Sequence, residues 1–261
     1  MELPEQPVAT AFTRSRVWAL PAVALLAMAI LLLNDSNQAV FLALNHAAAA
    51  LPPGLWASLT AVGDTLVAFA LLLPFVRRRP DLAAAILLAT LFALVYVHSL
   101  KYALDLPRPP AVLDPAAFDV IGPAHRAGSF PSGHTATAFA MMALLSVYLP
   151  SWRRLLPLIA LAALVGLSRI AVGVHWPLDV LAGAAGGWLA GLAGIVLAQR
   201  WQALHHPWLH GAVQALLIAG AAWLMIGHDS GYPQAQRFEQ AIAFAGLALF
   251  FRPMPNGTNH D

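Results

Sequence analysis

Cysteine is absent from the 261 residues. That excludes disulfides, thiol nucleophiles, thiolate zinc sites and iron–sulfur clusters together, while leaving the compartment open. Charge is scarce too: Asp, Glu, Lys and Arg make up 10% of the chain, against about 25% in an average soluble domain. Lysine occurs once, as Lys101. The formal net charge of +2 is too small to argue for nucleic acid as a partner. No low-complexity tail, soluble domain or repeat of solenoid period is visible. What fills the chain is apolar: 60% hydrophobic residues and a mean hydropathy of +0.71 describe a polytopic membrane protein.

A helix needs about 20 apolar residues to cross the hydrocarbon core. By that rule the sequence predicts an all-α bundle with spans near 17–33, 57–76, 82–100, 134–150, 155–173, 178–198, 209–227 and 239–251. No small-residue cleavage pattern follows Leu33, where the chain turns to Asn34-Asp35-Ser36-Asn37, so the first run reads as an uncleaved anchor. The expected organisation is a cytoplasmic tail over 1–16, a six-span core over 17–198, and an extension over 199–261 with about two further spans. Six spans with a less regular C-terminal pair is the alternative. Loops on one side of this arrangement hold nine of the basic residues, among them Arg14, Arg77, Arg78, Arg153 and Arg200. The other side holds Lys101, Arg108, Arg126, Arg169 and Arg237. The richer side is cytoplasmic by the positive-inside rule, which turns the second set outward.

Three polar clusters fall on that outward side: Lys101 with Arg108-Pro109, then Pro131-Ser132-Gly133-His134, then Ser168-Arg169 with His175 and Asp179. Ionisable groups are costly beside a bilayer and are rarely placed there without a role. A set rich in cations and histidines, with a single carboxylate, suits a phosphoryl group better than a metal ion. Pro177 suits the first turn of a helix, bringing His175 and Asp179 within reach of each other. A carboxylate on one ring nitrogen fixes the tautomer and frees the other nitrogen as a nucleophile. In isolation the same pair also reads as a helix cap. Ser132 and Gly133 open a helix whose exposed N–H groups suit an anion, with His134 facing it as a proton donor. Taken alone, that stretch is equally a cap beside a chance histidine. Arg108 and Arg169 offer paired hydrogen bonds to phosphate oxygens, and Lys101 a compact charge; each alone is also an ordinary snorkelling residue. The loop 102–130 is long enough to fold over the site.

Other residues carry less. Asp64 suits a headgroup contact, an arginine pair or plain solvation, and His98 lies one turn before Lys101. Arg126 sits where a mobile loop would bring it to substrate. His205, His206 and His210 lack an evident fourth ligand for a metal. Trp18, Trp56, Trp176 and Trp188 partly fit an aromatic belt.

Read in order, the three clusters resemble the signature motifs of the type-2 phosphatidic acid phosphatase superfamily over about residues 60–198. The resemblance implies a six-helix core with the site near the outer leaflet, plus here about two extra C-terminal helices. It implies His175 as a nucleophile forming a phosphohistidine, Asp179 orienting it, and His134 as the acid and later the base. Lys101, Arg108, Ser132, Gly133 and Arg169 would hold the phosphoryl oxygens. No metal or cofactor is implied. The expected partner is an amphiphilic lipid phosphate such as phosphatidate, phosphatidylglycerophosphate or undecaprenyl diphosphate, in a bacterial inner membrane with the site facing outward. Transfer of the phosphoryl group to a second lipid, using the same residues, is the alternative reaction. Nothing in the sequence fixes the oligomeric state.

Overall fold

The computed structural model describes residues 16–77, 79–146, 149, 151–201 and 206–253. The expected tail before Arg16, with Arg14, and also Arg78 and His205, lie outside them. The described residues are helical, without strands: α1 (Arg16–Leu33), α2 (Asn37–Ala48), α3 (Pro53–Val62), α4 (Thr65–Val76), α5 (Pro80–Leu104), α6 (Gly133–Ser146), α7 (Trp152–Ala171), α8 (Pro177–Arg200), α9 (Pro207–Ile226) and α10 (Gln236–Phe251). Two turns of helix, Pro109–Val112 and Pro115–Ala117, sit within the long connection between α5 and α6.

Helices cover most of each of the eight predicted segments where it is described, but the crossings are fewer by length and composition. Among the described residues, four helices are long and apolar enough to span a membrane, or six if each of two bent pairs counts as one span. The bends explain part of the difference. Gly63 ends α3, and Asp64 restarts the chain as the N-cap of α4, its Oδ1 accepting from Leu66 N at 2.7 Å. The resulting 58° break divides what reads as one span over 57–76. A Cβ on Gly63 would lie 2.8 Å from the carbonyl oxygen of His134, so the break brings bare backbone against α6. Likewise α1 and α2 meet at 110°. α2, which lies outside the predicted spans, buries Phe41, Asn45 and Ala48 along one face. α6 (14 residues) and α10 (16 residues) fall short of a full crossing.

α8 is the central helix, packed on α1, α5, α6 and α7. Gly183, Gly187 and Gly191 recur every fourth residue and meet the carbonyl oxygens of Ser132, Ala136 and Ala140 on α6. A Cβ on Gly187 would stand 2.1 Å from the Ala136 oxygen, so the two backbones touch as small-residue stripes allow. The extension packs α9 and α10 against α4. Of Trp18, Trp56, Trp176 and Trp188, only Trp18 is exposed. Trp56 donates to Ala48 O at 2.9 Å, and Trp188 to Val17 O at 2.8 Å. Buried indole N–H groups need acceptors, and these were found inside the fold rather than in an interfacial belt.

Candidate active site

The C-terminal ends of α5 and α7 and the N-terminal ends of α6 and α8 meet at one end of the bundle. The site is built there. Pro177 starts α8, and Asp179 in its first turn turns one oxygen, Oδ2, back on the segment before it. That oxygen accepts from Ser129 Oγ at 2.5 Å and from Trp176 N at 2.8 Å. It also lies 3.2 Å from His175 Nδ1. A carboxylate oxygen accepts, so its contact with the ring calls for the ring proton on Nδ1. Nε2 then carries the lone pair, which accepts from Arg108 Nη1 at 3.3 Å. His175 and Asp179 are both 2% exposed. Burial first, and then the charges of Arg108, Arg169 and Lys101, hold the His175 ring well below the ordinary histidine pKa.

The long connection is closed on itself around Arg108. Its two ends pair through Arg108 N to Arg126 O (2.9 Å) and Ser129 N to Leu106 O (2.9 Å). The Arg108 guanidinium donates to Ala127 O at 2.9 Å and Gly128 O at 3.2 Å. Lys101 Nζ donates to the same Gly128 oxygen. The connection is anchored below by α2: Asn45 Nδ2 reaches Asp119 O, Ile170 O and Ala171 O at 3.0–3.1 Å, and its Oδ1 accepts from Asp119 N at 2.8 Å. Ser168 bonds to Thr60 Oγ1 at 2.9 Å, tying α7 to α3. Arg169, one residue on, is 2% exposed, and its Nε has no hydrogen-bond partner among the described residues.

Lys101, Arg108, Gly133, His134, Arg169 and His175 line a single cavity of about 340 Å³. The cavity continues between α4, α5 and α6 past Phe69, Leu72, Ile86 and Leu144. Leu144 stands eleven residues beyond Gly133, about 16 Å along the helix. Asp179 and Ser132 stand behind this wall. Ser132 is fully buried and caps α6, its Oγ accepting from Thr135 Oγ1 at 2.9 Å, while its N–H donates to Asp179 O at 3.0 Å. These bonds also make it the joint between α6 and α8.

The secondary candidates divide. Asp64 and His98 line the cavity, but Asp64 pairs with His228 of the extension at 3.3 Å and not with an arginine. Arg126 is exposed and contributes its carbonyl oxygen to Arg108. His206 caps α9, and His210 lies 3.1 Å from Val76 O. Among the described residues no three His, Asp or Glu side chains are arranged to hold a metal. Sequence reasoning missed Ser129, His125 at the cavity wall, Asn45, and Tyr232, whose hydroxyl accepts from Arg169 Nη1 at 3.0 Å.

Comparison with known proteins agrees with this geometry. The model of the PAP2 superfamily matches residues 82–203. A lipid A 1-phosphatase of Rhizobium etli is 35% identical over 121 residues, covering 45% of this chain and 51% of that protein. The chain thus matches about half the length of that relative. An undecaprenyl-diphosphatase of Sulfolobus acidocaldarius is 34% identical over 158 residues, covering 59% of this chain and 73% of that protein. The crystal structure of Aquifex aeolicus LpxE superposes with a TM-score of 0.55 at 31% identity, covering 63% of this chain and 95% of that one.

Proposed function

The chain belongs to the PAP2 superfamily, and on that premise we propose that it is an integral-membrane phosphatase that removes a terminal phosphate from a lipid phosphate or diphosphate. The observation that carries the reading is the cavity: Lys101, Arg108 and Arg169 with His134 and His175 at one end, an apolar length at the other. A phosphate on an apolar tail matches both halves. The names of the relatives narrow the class to lipid phosphates and diphosphates of the lipid A and polyprenyl kinds.

The chemistry follows from the tautomer. His175 Nε2 attacks phosphorus, and the bond from phosphorus to the lipid oxygen breaks as the N–P bond forms. Asp179 steadies the positive charge that develops on the ring. His134 gives its proton to the departing oxygen. A water then attacks the phosphohistidine, His134 takes the water's proton, and inorganic phosphate leaves with His175 neutral again. Lys101, Arg108, Arg169 and the Gly133 N–H neutralise the equatorial oxygens, which is the main requirement of phosphoryl transfer. Ser132 contributes by fixing the start of α6. None of these steps uses a metal.

The site faces the exterior of a bacterial inner membrane in this reading. In support, Arg77, Arg79, Arg153, Arg154 and Arg200 belong to the helix ends opposite the site.

The test is phosphate release by purified protein in detergent with EDTA present. The substrates are undecaprenyl diphosphate, phosphatidate, phosphatidylglycerophosphate and lipid A. Release from at least one lipid is expected, with none from His175→Ala and a reduced rate from Asp179→Asn. Near-normal rates in both variants, or activity that EDTA stops and a divalent metal restores, would overturn the assignment.

A further inference from the structure

Arg169 is held from outside the region that the family model matches. Its Nη1 donates to the hydroxyl of Tyr232 at 3.0 Å, and its guanidinium carbon lies 5.8 Å from the centre of the same ring. Tyr232 sits between α9 and α10, beyond residue 203, where the family match ends. It is 4% exposed, so this contact is made in the interior. The ring is fixed from its other side. A Cβ on Gly122 would come within 2.7 Å of Tyr232 Cε1, and Gly122 holds a positive φ of 80° that favours glycine. Gly122 belongs to the connection that carries Arg108. Tyr232 therefore touches both the arginine and the loop. Arg169 lines the cavity while Tyr232 does not, so the phenol stands behind the guanidinium. With Nη1 engaged there, the unpartnered Nε remains for a ligand.

We propose that Tyr232 is a positioning residue through which the C-terminal extension sets the orientation of Arg169 toward the bound phosphoryl group. The inference rests on the phosphatase reading of the cavity. A guanidinium binds a phosphoryl group well only when its planar fork is aligned with two oxygens. An acceptor on one Nη fixes that plane, and a hydrogen bond to a charged group is strong enough to hold it.

The experiment measures inorganic phosphate binding by calorimetry on the purified full-length protein in detergent, alongside lipid turnover. Tyr232→Phe keeps the ring and removes the acceptor. It is expected to weaken phosphate binding and lower kcat/KM by about tenfold, with an unfolding midpoint close to that of the wild type. In an Arg169→Lys background, which removes the fork, the same change is expected to cost little. Equal phosphate affinity in wild type and Tyr232→Phe would overturn the proposal, as would an undiminished loss in the Arg169→Lys background. Wild-type protein that binds no phosphate would instead sink the reading of the cavity, and this inference with it. If Tyr232→Phe folds poorly, the comparison of Arg169→Lys with the double variant at matched folded fraction still decides: additive losses count against the proposal.

Discussion

One carboxylate oxygen organises the reactive end of the cavity. Asp179 Oδ2 accepts from a hydroxyl and a backbone N–H and faces the His175 ring. The ring's other nitrogen faces a guanidinium that disfavours its protonation. The sign of the pH dependence follows. In the proposed mechanism the neutral ring is the nucleophile, and burial with the nearby cations holds its pKa below the ordinary value of about 6.5. The acid limb of kcat/KM should therefore fall below pH 6.5. Arg108→Gln removes a charge that lowers this pKa, so the limb should move upward toward 6.5 while the rate drops. The pH profile of residual activity in this variant is the check; a limb that stays put or moves to lower pH would show that Arg108 is not the cause. His175, Asp179, His134 and the cations were legible in the sequence because their types and spacing carry the chemistry. Ser129 was not: it lies three residues before Ser132, and only the folded loop turns its hydroxyl to Asp179.

Two elements decide how firmly the site is held. α8 presents a glycine stripe that lets α6 approach to backbone contact, and this fixes the start of one helix against the start of the other. This contact was not legible in the sequence, since spacing alone does not name what a face packs against. α2 is the second element. Its Asn45 links the long connection to the end of α7 through both ends of one amide. Asn45→Ala removes four hydrogen bonds to backbone groups; Ile170 O keeps Gly173 N as a donor and Asp119 is open to water, so only part of the cost of about 1–3 kcal/mol per lost partner is felt. We expect a loss of about 2–3 kcal/mol, read as a lower unfolding midpoint in detergent, with activity falling in parallel. An unchanged midpoint would mean the loop is held elsewhere. α2 lies outside the predicted spans; its buried face, Phe41, Asn45 and Ala48, is short and includes a polar residue. The break between α3 and α4 had a signal, glycine followed by a capping aspartate, hidden inside an otherwise apolar run.

At the scale of the whole molecule, hydrophobic length predicted where helices lie better than how they cross. Apolar runs of similar composition become straight spans in α5, α8 and α9 and bent pairs in α1–α2 and α3–α4. The difference is set by short polar turns and by what each turn packs against. The extension was the least legible part. No motif marks it, yet α9 and α10 pack on α4, His228 reaches Asp64 and Tyr232 reaches Arg169. The bundle's cavity thus has a wall from the family core and a support from outside it. The central claim is that this cavity cleaves a lipid phosphate through His175. The most direct measurement is a single turnover on a lipid carrying a labelled terminal phosphate. The reaction is quenched in alkali, where phosphohistidine survives, and the label is located by peptide mapping. The account predicts transient label on His175 that decays to inorganic phosphate, and none in His175→Ala. Full phosphate release without labelled protein, or label on any other residue, would contradict it.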